Sequence, residues 1–216
     1  MNIFNDANIA ANYNAYYESD LGKKVDEIEK DLMLDHLKQI PVKHMLEVGC
    51  GTGHWTRFFA EQGFQILATD SSKSMLRVAE EKKPANTTFH RADADNLPFE
   101  NKSFDVISAV TVLEFVDDKQ QVFDEMYRVL KPGGWLLLGG LNTNSELGKT
   151  KNNDEVYKHG DFLTKEQLEN FLTKFGTAKI TQGVYFSPSF EILDGSSEQN
   201  NVEPAFFAAS VQKSVK

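Results

Sequence analysis

Three glycines at alternate positions, Gly49, Gly51 and Gly53, follow the acid Glu47, and two further acids, Asp70 and Asp93, stand downstream. Glycines at this spacing let the backbone take turns closed to other residues and let a ligand approach with no Cβ in the way. A helix opening after such a turn offers free N–H groups to a polar or anionic group above it. A carboxylate about 20 residues beyond the glycines suits a ribose diol, since its two oxygens can accept from two hydroxyls. The chemistry indicated is the binding of a nucleotide-like ligand, at the strand–turn–helix corner of a doubly wound α/β fold.

The elements that must position these groups can be read from periodicity. Met45, Leu46 and Val48 are apolar and bounded by punctuation, which predicts a buried strand over 44–49 and a helix over 53–62. Strand-like and helix-like segments then alternate through 65–70, 73–83, 87–92, 104–110, 119–130 and 135–140, predicting parallel pairing through right-handed crossovers. Upstream, residues 21–40 repeat apolar side chains at Val25, Ile28, Leu32, Leu34 and Leu37, close to helical period, and Pro41 stops them. Residues 6–40 therefore read as helical cover over the glycine end of the sheet. Residues 142–160 are polar and read as a loop or short cap. Thr164 is the expected N-cap of the next helix, with Gln167 at the capping-box position and Gly176 closing it. Two last strands near 178–186 and 205–213 are expected to form an antiparallel hairpin, joined by 187–204, longer than most hairpin loops.

The glycine spacing selects among nucleotides. A dinucleotide fingerprint wants a glycine at its sixth position, and counted from Gly49 that position is His54. The run E-V-G-C-G-T-G instead resembles the first motif of the class I S-adenosylmethionine-dependent methyltransferases. Residues 64–70 look like that family's second strand ending in an acid. A-D-A-D-N-L-P-F at 92–99 resembles its adenine-edge motif, 103–108 its fourth strand, and R-V-L-K-P-G-G at 128–134 the turn before its fifth. In this order the motifs cover roughly residues 10 to 140. They are similar to the broad small-molecule group, the "type 11" methyltransferase domain, that includes ubiquinone and menaquinone biosynthesis enzymes.

The resemblance implies one class I domain over residues 1–216: a helical lid at 1–40, a cofactor-binding core at 41–140, and substrate-side loops with the final strands at 141–216. The fold it implies is a Rossmann-like, seven-stranded, mostly parallel sheet with an antiparallel last strand and helices on both faces. It implies S-adenosyl-L-methionine as cofactor and S-adenosyl-L-homocysteine as product. Glu47 would face the methionine ammonium beside the turn of Gly49, Gly51 and Gly53. Asp70 would accept both ribose hydroxyls, with Ser71 and Met75 against the adenosine, although Met75 serves equally as helix core. Asp93 would accept from the adenine amino group while the Ala94 N–H donates to a ring nitrogen; Asp95 is the competing, exposed acid. The Val110 carbonyl would be a second acceptor for the ammonium. Two catalytic candidates follow. Tyr13, in a lid segment with Tyr16 and Tyr17, would lie near the transferring methyl, or else simply pack. Glu114, just past the fourth strand, would act as general base, or else sit as an acid at a helix start. His54 reads as a turn residue explained by its backbone, and His159 as a loop histidine on the substrate side.

Composition narrows the class. The chain carries a formal net charge of −9, which disfavours broad nucleic-acid binding, since phosphate neutralisation needs clustered Lys and Arg. One cysteine, Cys50, leaves no internal disulfide, and no histidine pair has metal-ligand spacing. No apolar run approaches a membrane span and the first residues lack a signal pattern, so a cytoplasmic monomer or homodimer is expected, with no metal. The acceptor, methylated at O, N, S or C, is a small molecule walled by residues from 1–25, 142–163 and 187–204. Phe162, Phe186 and Phe190 suggest an apolar or neutral one. A regulatory or partner protein that binds the cofactor without transferring a methyl would carry the same cofactor motifs.

Overall fold

The computed structural model describes residues 2–193 and 202–215; the expected 187–204 connection therefore lies partly outside the described residues. The strands are β1 His44–Val48, β2 Gln65–Asp70, β3 Thr87–Arg91, β4 Phe104–Val110, β5 Leu130–Leu141, β6 Ala178–Gly183 and β7 Phe206–Gln212. They form one seven-stranded sheet in the order β3-β2-β1-β4-β5-β7-β6. β1 to β5 pair in parallel, and β7 runs antiparallel to both β5 and β6. The chain moves outward from β1 to β3 and then returns to β4 on the other side of β1. That reversal opens a crevice beyond the carboxyl ends of β1 and β4, where open α/β sheets bind ligands.

Successive side chains of a strand point to opposite faces, and here both faces are covered. Met45 and Val106 belong to one core with Phe59, Met33 and Leu37, while Leu46 and Ile107 belong to the other with Phe123, Met126 and Leu172. The first core brings in α3 (Asp20–Leu37) and α4 (His54–Glu61); the second brings in α6 (Lys119–Val129) and α8 (Lys165–Leu172). Side-chain caps set where three of these helices begin. The Ser19 Oγ accepts from Gly22 N, the Asp118 carboxylate from Gln121 N, and Thr164 with Gln167 forms the full capping box.

Several details differ from the sequence reading. The strand expected from residue 135 pairs from Leu130, because Lys131 to Gly134 bulge out between the Phe104 and Val106 pairings rather than ending the ladder. α8 itself stops at Leu172, four residues before Gly176; Thr173 N–H donates to Glu169 O, and Phe175 N–H and Gly176 N–H both donate to Leu172 O, so Gly176 closes the helix end as expected. The segment after β5 contains α7 (Glu146–Thr150) and two 3-10 turns.

One buried histidine ties the lid helix to the last strands. His36 of α3 is fully buried, with Nδ1 2.7 Å from Ser210 Oγ and Nε2 2.8 Å from Thr181 Oγ1. Burial lowers it from its usual 6.5 to about 4, so the native imidazole is neutral. Above about pH 6.5 neither the folded nor the unfolded state carries the proton; below it the unfolded chain takes one first. Stability tied to His36 is thus present above pH 6.5 and lost as the pH falls toward 4. In urea unfolding, the stability gap between wild type and His36→Gln should narrow steadily across that window.

Candidate active site

Beyond the ends of β1, β2 and β4 lies a cavity of about 280 Å³. The backbone turn at its floor follows from Gly51, whose φ of 53° puts its missing Cβ toward open space, with no atom within 4 Å. A side chain there would be strained and would intrude on the cavity. Gly51 N–H and Ser72 N–H each donate to the Asp70 carboxylate, at 2.8 Å to separate oxygens. The carboxylate is thereby aimed before any ligand arrives, while burial pushes its pKa upward.

Gly49, Gly51, Asp70, Ser71, Met75, Asp93, Ala94 and Val110 all line this cavity. Asp95 lines it too, and both Asp93 and Asp95 are exposed. Three of the expected residues lie elsewhere. Gly53 caps α4 at φ 78°, and a Cβ on it would come 3.1 Å from Ala79 of α5 (Lys73–Glu81), so it serves helix packing. Glu47 is buried under the turn, with one carboxylate oxygen lacking a hydrogen-bond partner; burial pushes it up to about 8. Glu114 accepts from Leu141 N–H at 2.5 Å, is buried, and lines neither this cavity nor its neighbour. Burial raises it to about 7.

The N-terminal segment closes the cavity from above. Ser72 Oγ donates to Phe4 O at 2.6 Å, Ser74 Oγ to Asn5 O at 2.9 Å, and Asn2 Nδ2 to Ser71 Oγ at 2.9 Å. Phe4 meets Phe115 edge to face at 4.9 Å. His54, a residue that could touch the cofactor but is explained by its place on the turn, lines this cavity and has a side-chain role. Its ring stacks on Tyr17 at 3.7 Å, and its Nε2 lies 2.6 Å from the Asp26 carboxylate of α3. Thr52 Oγ1 adds a bond to Asn14 at 2.8 Å. The glycine turn therefore grips the lid through its own side chains.

A second cavity of about 260 Å³ adjoins the first, and Tyr13, Tyr17, Thr111 and Phe115 line both. Thr111 sits at φ 51° just past β4, an unusual conformation for a β-branched residue and one typical of functional sites. Burial, then Glu114 and Asp70, raise Tyr13 to about 12. Tyr13 thus stays a phenol at neutral pH, suited to donating a hydrogen bond rather than abstracting a proton. His159 is exposed and lines neither cavity.

The lining chemistry discriminates between cofactors. Among the described residues, the first cavity presents Asp70, Asp93, Asp95 and Asp117 and no Lys or Arg. A pyrophosphate would meet only like charge there, whereas a ligand bearing a sulfonium and an ammonium fits. The open cradle at Gly51 and the unpartnered Glu47 oxygen are consistent with such a ligand.

Comparison with known proteins agrees. A family model described as a methyltransferase domain matches residues 46–138. A solved S-adenosylmethionine-dependent methyltransferase from Thermotoga maritima, described as a possible histamine N-methyltransferase, superposes with a TM-score of 0.74 at 26% identity, over 96% of this chain and 97% of that one. The chain belongs to the S-adenosylmethionine-dependent methyltransferases. An uncharacterized protein of Methanocaldococcus jannaschii is 30% identical over 192 residues, 86% of each chain. Demethylmenaquinone methyltransferase of Renibacterium salmoninarum is 35% identical over 107 residues, half of this methyltransferase and 45% of that enzyme. The chain thus spans most of the archaeal relative but less than half of the menaquinone enzyme.

Anchoring of the lid by His54 can be tested directly. His54→Ala removes both the Tyr17 stack and the Asp26 pair. Hydrogen exchange should speed up across residues 7–20, with the β1 and β4 amides unchanged, and affinity for S-adenosylhomocysteine should fall by about tenfold, the scale of one charge-assisted contact.

Proposed function

We propose that this methyltransferase acts on a small-molecule acceptor seated in the second cavity, with S-adenosylmethionine in the first. The observation that carries the reading is the shared wall of Tyr13, Tyr17, Thr111 and Phe115, which sets the two cavities side by side. S-adenosylmethionine supplies a methyl group held on a sulfonium. Such transfer needs alignment and exclusion of water more than a protein nucleophile.

The chain's own residues divide the work accordingly. Asp70 accepts from the ribose hydroxyls, with Ser71 and Met75 against the adenosine. Asp93 and the Ala94 N–H take the adenine edge. The Gly49 and Gly51 backbone and the Val110 carbonyl face the methionine end, with Glu47 countering its ammonium from below the turn and Gly53 seating α4. Tyr13 orients the reacting groups from the shared wall. Glu114 is a positioning residue: its bond to Leu141 N–H fixes the end of β5 next to the second cavity. A proton-abstracting role is not supported, because its carboxylate reaches neither cavity.

Calorimetry with S-adenosylhomocysteine tests the cofactor half of this reading. Wild type should bind. Asp70→Ala should lose about 1–3 kcal/mol of affinity, as expected for losing a hydrogen-bonded charge. No measurable binding by wild type at millimolar ligand would overturn the assignment of the first cavity.

A further inference from the structure

The second cavity contains one buried carboxyl group that neither the fold nor the cofactor site explains. Glu29 of α3 is 8% exposed and lines this cavity but not the first. Among the described residues it has no hydrogen bond and no ion pair. Its neighbour Lys30 is committed to Asp26 at 2.5 Å. Lys151, the cavity's cationic side chain, instead donates to Gly160 O and lies 5.6 Å from the Phe162 ring. A carboxyl in such a place is costly to ionise without a partner.

The rest of the wall is mostly aromatic and aliphatic, with Asp154 a second acid at its exposed side. Tyr13, Tyr16, Tyr17 and Tyr157 line the cavity with Glu29, and Phe186 and Phe190 extend the apolar surface. Tyr16 and Tyr17 meet edge to face at 5.5 Å, with Tyr13 and Tyr17 at 6.5 Å. Aromatic faces attract cations, more strongly where water is excluded. A cationic group gains from both the ring faces and the acid, whereas an anion would oppose the negative faces of the rings. The Phe-rich loops alone suggested an apolar or neutral acceptor; the carboxylate that folding places among the rings changes that expectation.

We infer that the second cavity is an amine subsite, in which the Glu29 carboxylate and the tyrosine faces hold the nitrogen of an amine acceptor with an apolar body. This rests on the reading of that cavity as the acceptor site. Burial, then Asp26 and Glu114, raise Glu29 to about 8, with Lys30 opposing. Near neutral pH the empty site therefore holds Glu29 protonated. Pairing with an ammonium releases that proton to solvent; the paired ammonium then passes one of its own protons to the carboxylate, which restores the carboxyl and leaves the nitrogen a free electron pair.

The experiment uses the full chain saturated with S-adenosylhomocysteine, whose binding is confirmed first. Binding of phenethylamine, phenethyl alcohol and 3-phenylpropionate, which share an aromatic body, is measured by ligand-observed NMR and calorimetry. The amine should bind at least tenfold more tightly than the alcohol, and the acid should not bind. Glu29→Gln should lose at least tenfold in amine affinity and little in alcohol affinity, with S-adenosylhomocysteine affinity unchanged. Wild-type selectivity is read without any variant, so a misfolded Glu29→Gln protein leaves the test decisive. Equal binding of amine and alcohol, preference for the acid, no amine binding, or a folded Glu29→Gln that binds amine normally would each overturn the inference while the cofactor assignment stood. Failure of S-adenosylhomocysteine itself to bind would instead remove the reading on which it rests, and the inference with it.

Discussion

Two backbone N–H groups, from Gly51 and Ser72, converge on the carboxylate of Asp70. One belongs to the turn after β1 and the other to the start of α5, so a single side chain at the end of β2 locks two turns into register. The constraint reaches further, since the Ser72 hydroxyl caps α5 through Met75 N–H and also binds the Phe4 carbonyl. Strand end, glycine turn, helix start and lid are thus coupled through one carboxylate and one hydroxyl. Burial disfavours the ionised carboxyl, and the two N–H donors offset part of that cost.

The loop after β3 that carries Asp93 and Ala94 is held in place by α6. Arg128 of α6 donates to the carbonyls of Leu97 and Phe99 and to Glu125, while Glu125 accepts from Leu97 N–H. An ion pair on a helix therefore clamps the loop that carries Asp93 and Ala94. Asp93 and Ala94, which line the first cavity, are thus held by Arg128 and Glu125, which do not. Positioning through such supports matters here because methyl transfer depends on alignment more than on a reactive side chain.

What could be read from the sequence was what is local. The glycine turn, Asp70 and Asp93 are specified by short spacings, and the sheet by alternating periodicity, so they are visible in the order of residues. His54 and Asp26 are separated by 28 positions, and nothing in either neighbourhood announces their pairing. Glu29 is one of several acids on a charged helix and carries no local signal; the docking of α3 against β6 and β7 places it at the second cavity. Thr111 likewise gains meaning only where the two cavities meet, and Tyr157 only as a wall of the second. Glu114 shows the converse: its position past β4 matches a catalytic pattern, while its carboxylate points to the Leu141 backbone. Motif spacing places a residue along the chain; side-chain direction comes from packing.

The contacts between the first residues and the cofactor side of the sheet are of a particular kind. Ser72 and Ser74 bind the carbonyls of Phe4 and Asn5, not their side chains. A backbone carbonyl is the same whatever residue carries it. Substitutions at Asn5 that keep the turn therefore preserve its docking, and this position is free to diverge between related proteins. Sequence drift at this position can change the outer surface of the segment while its seal over the first cavity persists. The cover is specified by the path of the chain rather than by the identity of the residue that supplies it.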